Sequence, residues 1–419
     1  MSPLSIALRR GAAPIAVPVM ALLGLYAGTR GDSWFVDWGW ASGQLQQHGV
    51  LLVPLTAAIA AWDASRDRRT GTPLLIRTYS RPQLTWLLLN GAGALIAGMI
   101  GWTMAFATIA MNVRGGGGPY WSVVLLGPLC IVASVLLGAA AGHYLPRYLA
   151  APLAAVAVWL GLAFGSTSAD PLIARLSAVN RECCDVASQP VAVTVAGQWL
   201  WILGLGLVGL AVLALPRVVV VAVVAALATL VATTAVAMIQ STDGQLTEAR
   251  SATAESCATR DGITVCMWPE HAADVDAWLT AAARFRDAFT DIAPPAPLYL
   301  ENGLRPGADA PRVGPTRPTT TDTDLVMSLA QNLFPVPPAC AAVEGGSRGY
   351  PAAESNVLLN AWLIHRVRPE EPAARLVPPD YVADLDRLIR SPAERQRAWY
   401  TELLEAHRDC ATPSPALPS

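Results

Sequence analysis

The chain has 419 residues, 53% of them hydrophobic and only 14% charged, with a mean hydropathy of +0.40, which excludes an ordinary soluble protein of this size. The formal charge of −2 conceals a split, with 13 Arg against 7 Asp and Glu in residues 1–240 and 16 against 24 in residues 241–419. All 29 basic residues are Arg; without Lys the chain is neither a P-loop ATPase nor an enzyme of the Schiff-base type.

A bilayer core takes about 20 apolar residues per helix, and seven stretches qualify: Gly11–Gly28, Trp40–Trp62, Gln83–Met111, Tyr120–Gly142, Tyr148–Gly165, Val193–Leu215 and Val218–Gln240. The second is the weakest, because Trp40–His48 is polar though uncharged. A cleaved signal peptide is the competing reading of residues 1–28, but no small-x-small site precedes Gly31 and six further spans follow. The expected fold is an α-helical polytopic membrane protein with about seven transmembrane helices, followed by a soluble, mostly helical α+β domain.

Orientation follows from Arg in short loops. With the N-terminus inside, the inner side collects Arg9, Arg10, the five Arg of residues 63–82, Arg147 and Arg217, against Arg30, Arg114, Arg175 and Arg181 outside. Seven spans then place residues 241–419 beyond the cytoplasm of a cell membrane. Leu145-Pro146-Arg147 and Leu215-Pro216-Arg217 end helices and hold inner turns, while Trp34, Phe35, Trp38 and Trp40 suit an outer aromatic belt. Asp170–Asn180 is expected to cap and form a short surface helix.

Within the spans the signals concern packing. Ser134, Gly138 and Gly142 lie four apart, as do Ala94 with Gly98 and Ala97 with Gly101, a pattern that lets helix backbones approach closely. Asn90, near the inner end of its span, is expected to make an interhelical hydrogen bond or to lie at the interface, with a substrate contact as the competing reading. No carboxylate or Arg lies in the middle of a span, which argues against a proton relay or ion-coupled carrier.

The stretch Asp63–Pro82, DASRDRRTGTPLLIRTYSRP, carries Arg66, Arg68, Arg69, Arg77 and Arg81 between two apolar segments. Gly71 permits a sharp turn, Thr72 suits a helix cap and Pro73 the first helical position. Leu74, Leu75 and Ile76 are then placed to lie on the membrane, while Arg68, Arg69, Arg77 and Arg81 face lipid phosphates or an acidic partner. The competing reading is that these Arg simply obey the positive-inside rule.

Asp67-Arg68-Arg69-Thr70-Gly71-Thr72, then Leu74-Leu75, then Thr78, Ser80 and Arg81, resembles the pattern after the second span of ABC transporter permeases of the type-2 exporter class. Over residues 1 to about 215, the resemblance implies a six-helix permease core, a homodimeric or heterodimeric transport unit and a separate ABC ATPase subunit. That ATPase would dock on Asp67, Arg68, Arg69, Gly71, Thr72, Arg77 and Arg81. The sequence departs from the pattern in having Asp67 where Glu is commoner, Pro73 after the Gly-Thr pair, and a segment one residue short before Ser80. The seventh span and the outer domain are additions.

Residues 241–255 read as a linker and 256–419 as an exoplasmic domain. In it Gly262–Met267 and Leu298–Glu301 read as strands, and His271–Ile292, Asp322–Phe334, Glu354–Val367, Asp380–Arg390 and Pro392–His407 as helices. Ser391-Pro392-Ala393-Glu394 reads as a capping box. Six of the seven Cys lie outside in this topology, and none in an inner loop. Cys257 and Cys266 flank a short turn and are expected to pair, leaving Cys340 for Cys410; Cys183 and Cys184 either pair with each other or bond across a dimer.

Catalysis is not expected. The His residues of the outer domain, His271, His365 and His407, form no metal motif, and Glu270-His271 reads as an ordinary helix start with a partly exposed His. The order of elements is vaguely similar to membrane-anchored zinc peptidases, but Asp324–Phe334, where the metal helix would stand, carries no ligand. No cofactor and no nucleic-acid partner are expected. Two functional classes compete: the permease of an ATP-driven exporter, and a membrane-anchored exoplasmic binding or sensory protein.

Overall fold

The structure, a computed structural model, describes all residues except 1, 2, 31–36, 67, 68, 70–82, 181, 182, 215–217, 253, 293–295, 317–319, 336, 344, 345, 348 and 419. It divides into two compact units, Met1–Ser251 and Ala252–Ser419.

The first unit is a helix bundle. Its helices are α1 (Pro3–Arg10), α2 (Ala13–Arg30), α3 (Trp38–Ala64), α4 (Gln83–Ala110), α5 (Trp121–Val124), α6 (Leu126–Tyr144), α7 (Ala150–Ser166), α8 (Pro171–Leu176), α9 (Ala192–Leu213) and α10 (Val218–Gln240). Among the described residues four stretches are long and apolar enough to cross a membrane: Leu88–Ala110, Trp121–Tyr144, Ala192–Leu213 and Val218–Gln240. Two of the expected spans are shorter apolar helices, Ala13–Thr29 and Ala150–Ser166. The other, α3, is 27 residues long but carries Ser42, Gln44, Gln46, Gln47 and His48 in its first half. Asp37 caps α3 by accepting from Trp40 N–H at 2.8 Å, and Asp170 caps α8 through Leu172 N–H at 2.8 Å.

Small residues set the helix directions. Gly101 packs on Met20 and Gly24, and Gly28 on Thr108, so α2 and α4 run parallel. Gly138 and Gly142 abut the carbonyls of Ala57 and Ala61, so closely that a Cβ at either would collide with them; α3 and α6 are therefore parallel. Against α4, α3 is antiparallel, Thr56 meeting Gly98. Gly206 lies by Ala133 and Gly209 by Leu136, which aligns α9 with α6, and α10 returns antiparallel, Ala235 and Ile239 meeting Gly197. Expected small-residue contacts at Gly98, Gly101, Gly138 and Gly142 are thus made. Asn90 is buried, but its amide nitrogen meets no acceptor among the described residues.

The segment 241–255, expected to be a linker, contains β2 (Thr247–Ala249), which pairs antiparallel with β1 (Ser188–Pro190). Thr194 Oγ1 donates to Gln245 O at 2.6 Å, holding this ribbon at the start of α9.

The second unit is built on a four-stranded sheet, β3 (Ser256–Arg260), β4 (Ile263–Met267), β5 (Leu298–Glu301) and β6 (Arg312–Val313), in that order. β3 and β4 form an antiparallel hairpin; β4–β5 and β5–β6 are parallel, and the β4–β5 crossover runs through α11 (Val275–Phe289). The remaining helices are α12 (Asp322–Ala330), α13 (Asn356–Val367), α14 (Ala373–Leu376), α15 (Val382–Arg390) and α16 (Ala393–Ala406), with a two-stranded ribbon of Ala342–Val343 and Gly346–Ser347. Trp278, Phe289, Tyr299, Trp362 and Trp399 fill one core, each such burial stabilising by about 1.5–3 kcal/mol. Burial pushes the Tyr400 phenol up to about 12, so it stays protonated and donates to Leu333 O at 2.6 Å. The expected capping box at Ser391 is not formed, since its Oγ donates back to Leu388 O; a capping box instead opens α12, between Thr321 and Asp324.

Candidate functional site

The end of α3 and the start of α2 meet at one carboxylate. Asp63 is 4% exposed, and its Oδ1 and Oδ2 accept the Ala12 N–H at 2.9 and 3.2 Å. Ala12 O in turn accepts from Ala16 N–H at 2.8 Å, so Asp63 occupies the N-terminal turn of α2, where backbone N–H groups lack helical partners and negative charge is favoured. Gly93 lies against Ala13 and Asp63, bringing α4 to the same point.

Just past Asp63 the Arg69 side chain reaches back along its own helix. Arg69 Nη1 donates to Trp62 O at 2.7 Å and to Ser65 Oγ at 2.6 Å, and its guanidinium stacks 3.7 Å from the Trp62 ring centroid. A cation bonded to a terminal carbonyl completes the C-terminal end of α3. Arg69, expected to face lipid phosphates or an acidic partner, has one guanidinium nitrogen bonded to its own helix and also lines the groove beside it. Asp67, Arg68, Gly71, Thr72, Arg77 and Arg81 lie outside the described residues.

Beside this anchor is a groove of about 580 Å³, with Arg10, Arg66 and Arg69 among its lining and an apolar wall that includes Ile15, Val19 and Ile59. A second cavity, about 660 Å³, lies among α6, α7, α8 and α9 and is walled by groups such as Leu137, Val158, Phe164 and Trp201. Its hydroxyls, Ser134 and Ser177, donate to the carbonyls of Ile131 and Ala174, so it offers apolar surface and little directed polarity.

In the second unit sequence reasoning missed a buried polar cluster. Glu301 Oε1 lies 2.6 Å from His271 Nδ1 while Oε2 accepts the Trp268 N–H at 2.8 Å, and Trp268 Nε1 donates to Asn302 O at 3.0 Å. His271, expected to be partly exposed at a helix start, is 3% exposed in the 3-10 turn Pro269–Asp274. Parallel pairing of β4 with β5 brings the end of one strand beside the end of the other. The available signal was Glu301 itself, a carboxylate closing the apolar strand LYLE.

Cys257 is joined to Cys266 and Cys340 to Cys410, as expected, and Cys183 is joined to Cys184. Glu255, Cys257 and Cys266 place three donor atoms within 4.8 Å of one another. Both sulfurs are in the disulfide, however, and Glu255 forms a 2.6 Å ion pair with Arg305, so the group is a structural staple rather than a metal centre.

Residues 265–410 match the family model described as Domain of unknown function (DUF7224). The matched stretch lies within the second unit and includes the Cys340–Cys410 pair and the His271–Glu301 pair. No curated protein and no solved structure matches the chain.

Proposed function

We propose that the chain is the membrane-spanning permease subunit of an ATP-driven ABC exporter, coupled through residues 63–82 to a separate ATPase and acting as a homodimer or with a second permease. In this reading α2, α3 and α7 join the four long apolar stretches as seven spans of the cell membrane. The N-terminus is then cytoplasmic and the disulfide-bonded unit extracellular. The observation that carries it is the Asp63–Ala12 anchor, which fixes the end of α3 from which the Arg-rich stretch departs. A force applied there is transmitted to α2 and α4 through the packed contacts of Asp63, Ala13 and Gly93. The 660 Å³ cavity supports an apolar or amphipathic cargo. Charge reversal at Arg68 and Arg69 is expected to abolish co-purification of the ATPase; unchanged association removes the docking claim.

A second reading, a membrane-anchored extracellular binding or sensory protein, is favoured by one observation. The matched family domain lies wholly in the second unit, which has its own core and two disulfides.

A further inference from the structure

We propose that the groove between the start of α2 and the end of α3 binds one anionic phospholipid. Arg10, Arg66 and Arg69 are among its lining. Among the described residues the lining holds one carboxylate, Asp63, both of whose oxygens are turned to the Ala12 N–H, beside the three arginines. Guanidinium groups match phosphate oxygens in geometry as well as charge.

Ile15 and Val19 give the groove an apolar wall, and the exposed face of α2 beyond the groove suits an acyl chain rather than water. Ile15 is 74% exposed, and Val19, Leu22 and Tyr26 continue the exposed apolar face of α2 at helical spacing. From Ile15 to Tyr26 the helix rises roughly 16 Å, close to the depth of one leaflet of the hydrocarbon core. Trp62, 44% exposed beneath the Arg69 guanidinium, is of the residue type favoured at a membrane interface. An acidic protein partner would meet the same arginines but would leave this apolar wall unmatched. The proposal requires that the first unit lie in a bilayer and does not depend on transport.

The test is native mass spectrometry of the full chain in neutral detergent, with phosphatidylglycerol and phosphatidylcholine of identical acyl chains as probes. One phosphatidylglycerol is expected to be retained about tenfold more tightly than phosphatidylcholine, a modest share of what three arginines contribute near a membrane surface. The variant R10A/R66A/R69A is expected to lose that preference. V19W, which keeps all three arginines but fills the groove, is expected to lower phosphatidylglycerol retention severalfold; glycerol phosphate, the headgroup without chains, is expected not to compete. Equal retention of the two lipids, an unchanged V19W, an unchanged triple variant or displacement by glycerol phosphate would each overturn the proposal. If the triple variant does not fold, the lipid comparison on the native chain and V19W still decide it. Loss of ATPase association would leave this outcome untouched, so the two readings fail separately.

Discussion

Asp63 and Ala12 are 51 residues apart in the chain, yet both carboxylate oxygens of Asp63 take up the single backbone N–H of Ala12. The contact joins the last turn of α3 to the first turn of α2, and its energetic weight can be measured. Asp63→Leu removes a charged acceptor from a buried donor, which is expected to cost about 1.5–3 kcal/mol. Cys130 is buried and is the one cysteine outside the three disulfides, so a thiol-reactive dye reports the opening of this bundle on heating. The variant should label at lower temperature than the native chain, and Asp63→Asn, which keeps an acceptor, should fall between them.

Glu301 accepts from two groups that its own strand does not supply. Glu301→Ala leaves the Trp268 N–H and the His271 ring facing a void in the core, and each buried polar group stranded in this way costs about 1–3 kcal/mol. Hydrogen exchange across residues 263–301 of the full chain should accelerate strongly in Glu301→Ala and less in Glu301→Gln. Exchange at the native rate in Glu301→Ala would show that the cluster contributes nothing to the sheet.

The two disulfides of the second unit close loops of very different size. Cys340–Cys410 spans 70 residues and Cys257–Cys266 spans 9, so chain entropy assigns them about 4 and 2.5 kcal/mol respectively. C340S/C410S should therefore increase susceptibility to limited proteolysis more than C257S/C266S does. The reverse order would place the stabilising effect in the hairpin instead.

Acid should open the start of α12 by a specific route. The Asp324 carboxyl is held below its ordinary range, first by the Thr321 backbone N–H, then by the Thr321 hydroxyl, with Arg368 adding a smaller part. A depressed folded-state pKa favours the ionised form. Its contribution is full above the ordinary carboxylate value of about 4 and is lost as pH falls through the lower, folded value. The cap is solvent-exposed and worth about 0.5–1 kcal/mol. Amide exchange over 322–330 should thus be faster in D324N than in the native chain at neutral pH, and the difference should shrink as pH falls through the lowered folded value. A difference that persisted in acid would assign the effect to packing.

The bundle was legible in the sequence wherever an apolar run exceeded a helix turn many times over, as in α4, α6, α9 and α10. α3 was hard to read because its polar first half is turned into the protein: Gln46 donates to Val123 O, and Ser42 accepts the Tyr120 N–H at 3.1 Å. The β1–β2 ribbon was illegible, being three residues per strand and joining Ser188 to Ala249 across 61 positions. Cys257–Cys266 could be read because the partners flank one turn. The His271–Glu301 pair could not, since parallel pairing leaves no local trace of which residues will meet. At the arginine groove the charges were plain in the sequence, but not that Arg69 would turn back on Trp62, or that Arg10 would stand with Arg66 and Arg69 around one cavity.

The central claim is that residues 63–82 engage a separate ATPase, and the most direct measurement is affinity purification of the tagged chain from its native membrane. Mass spectrometry and an ATPase assay on the complex complete it. The account predicts recovery of an ABC ATPase whose association is lost when Asp67–Arg81 is altered. Recovery of the intact chain without any ATPase, under conditions that preserve known complexes, would contradict it and make the disulfide-bonded unit the functional part of the molecule.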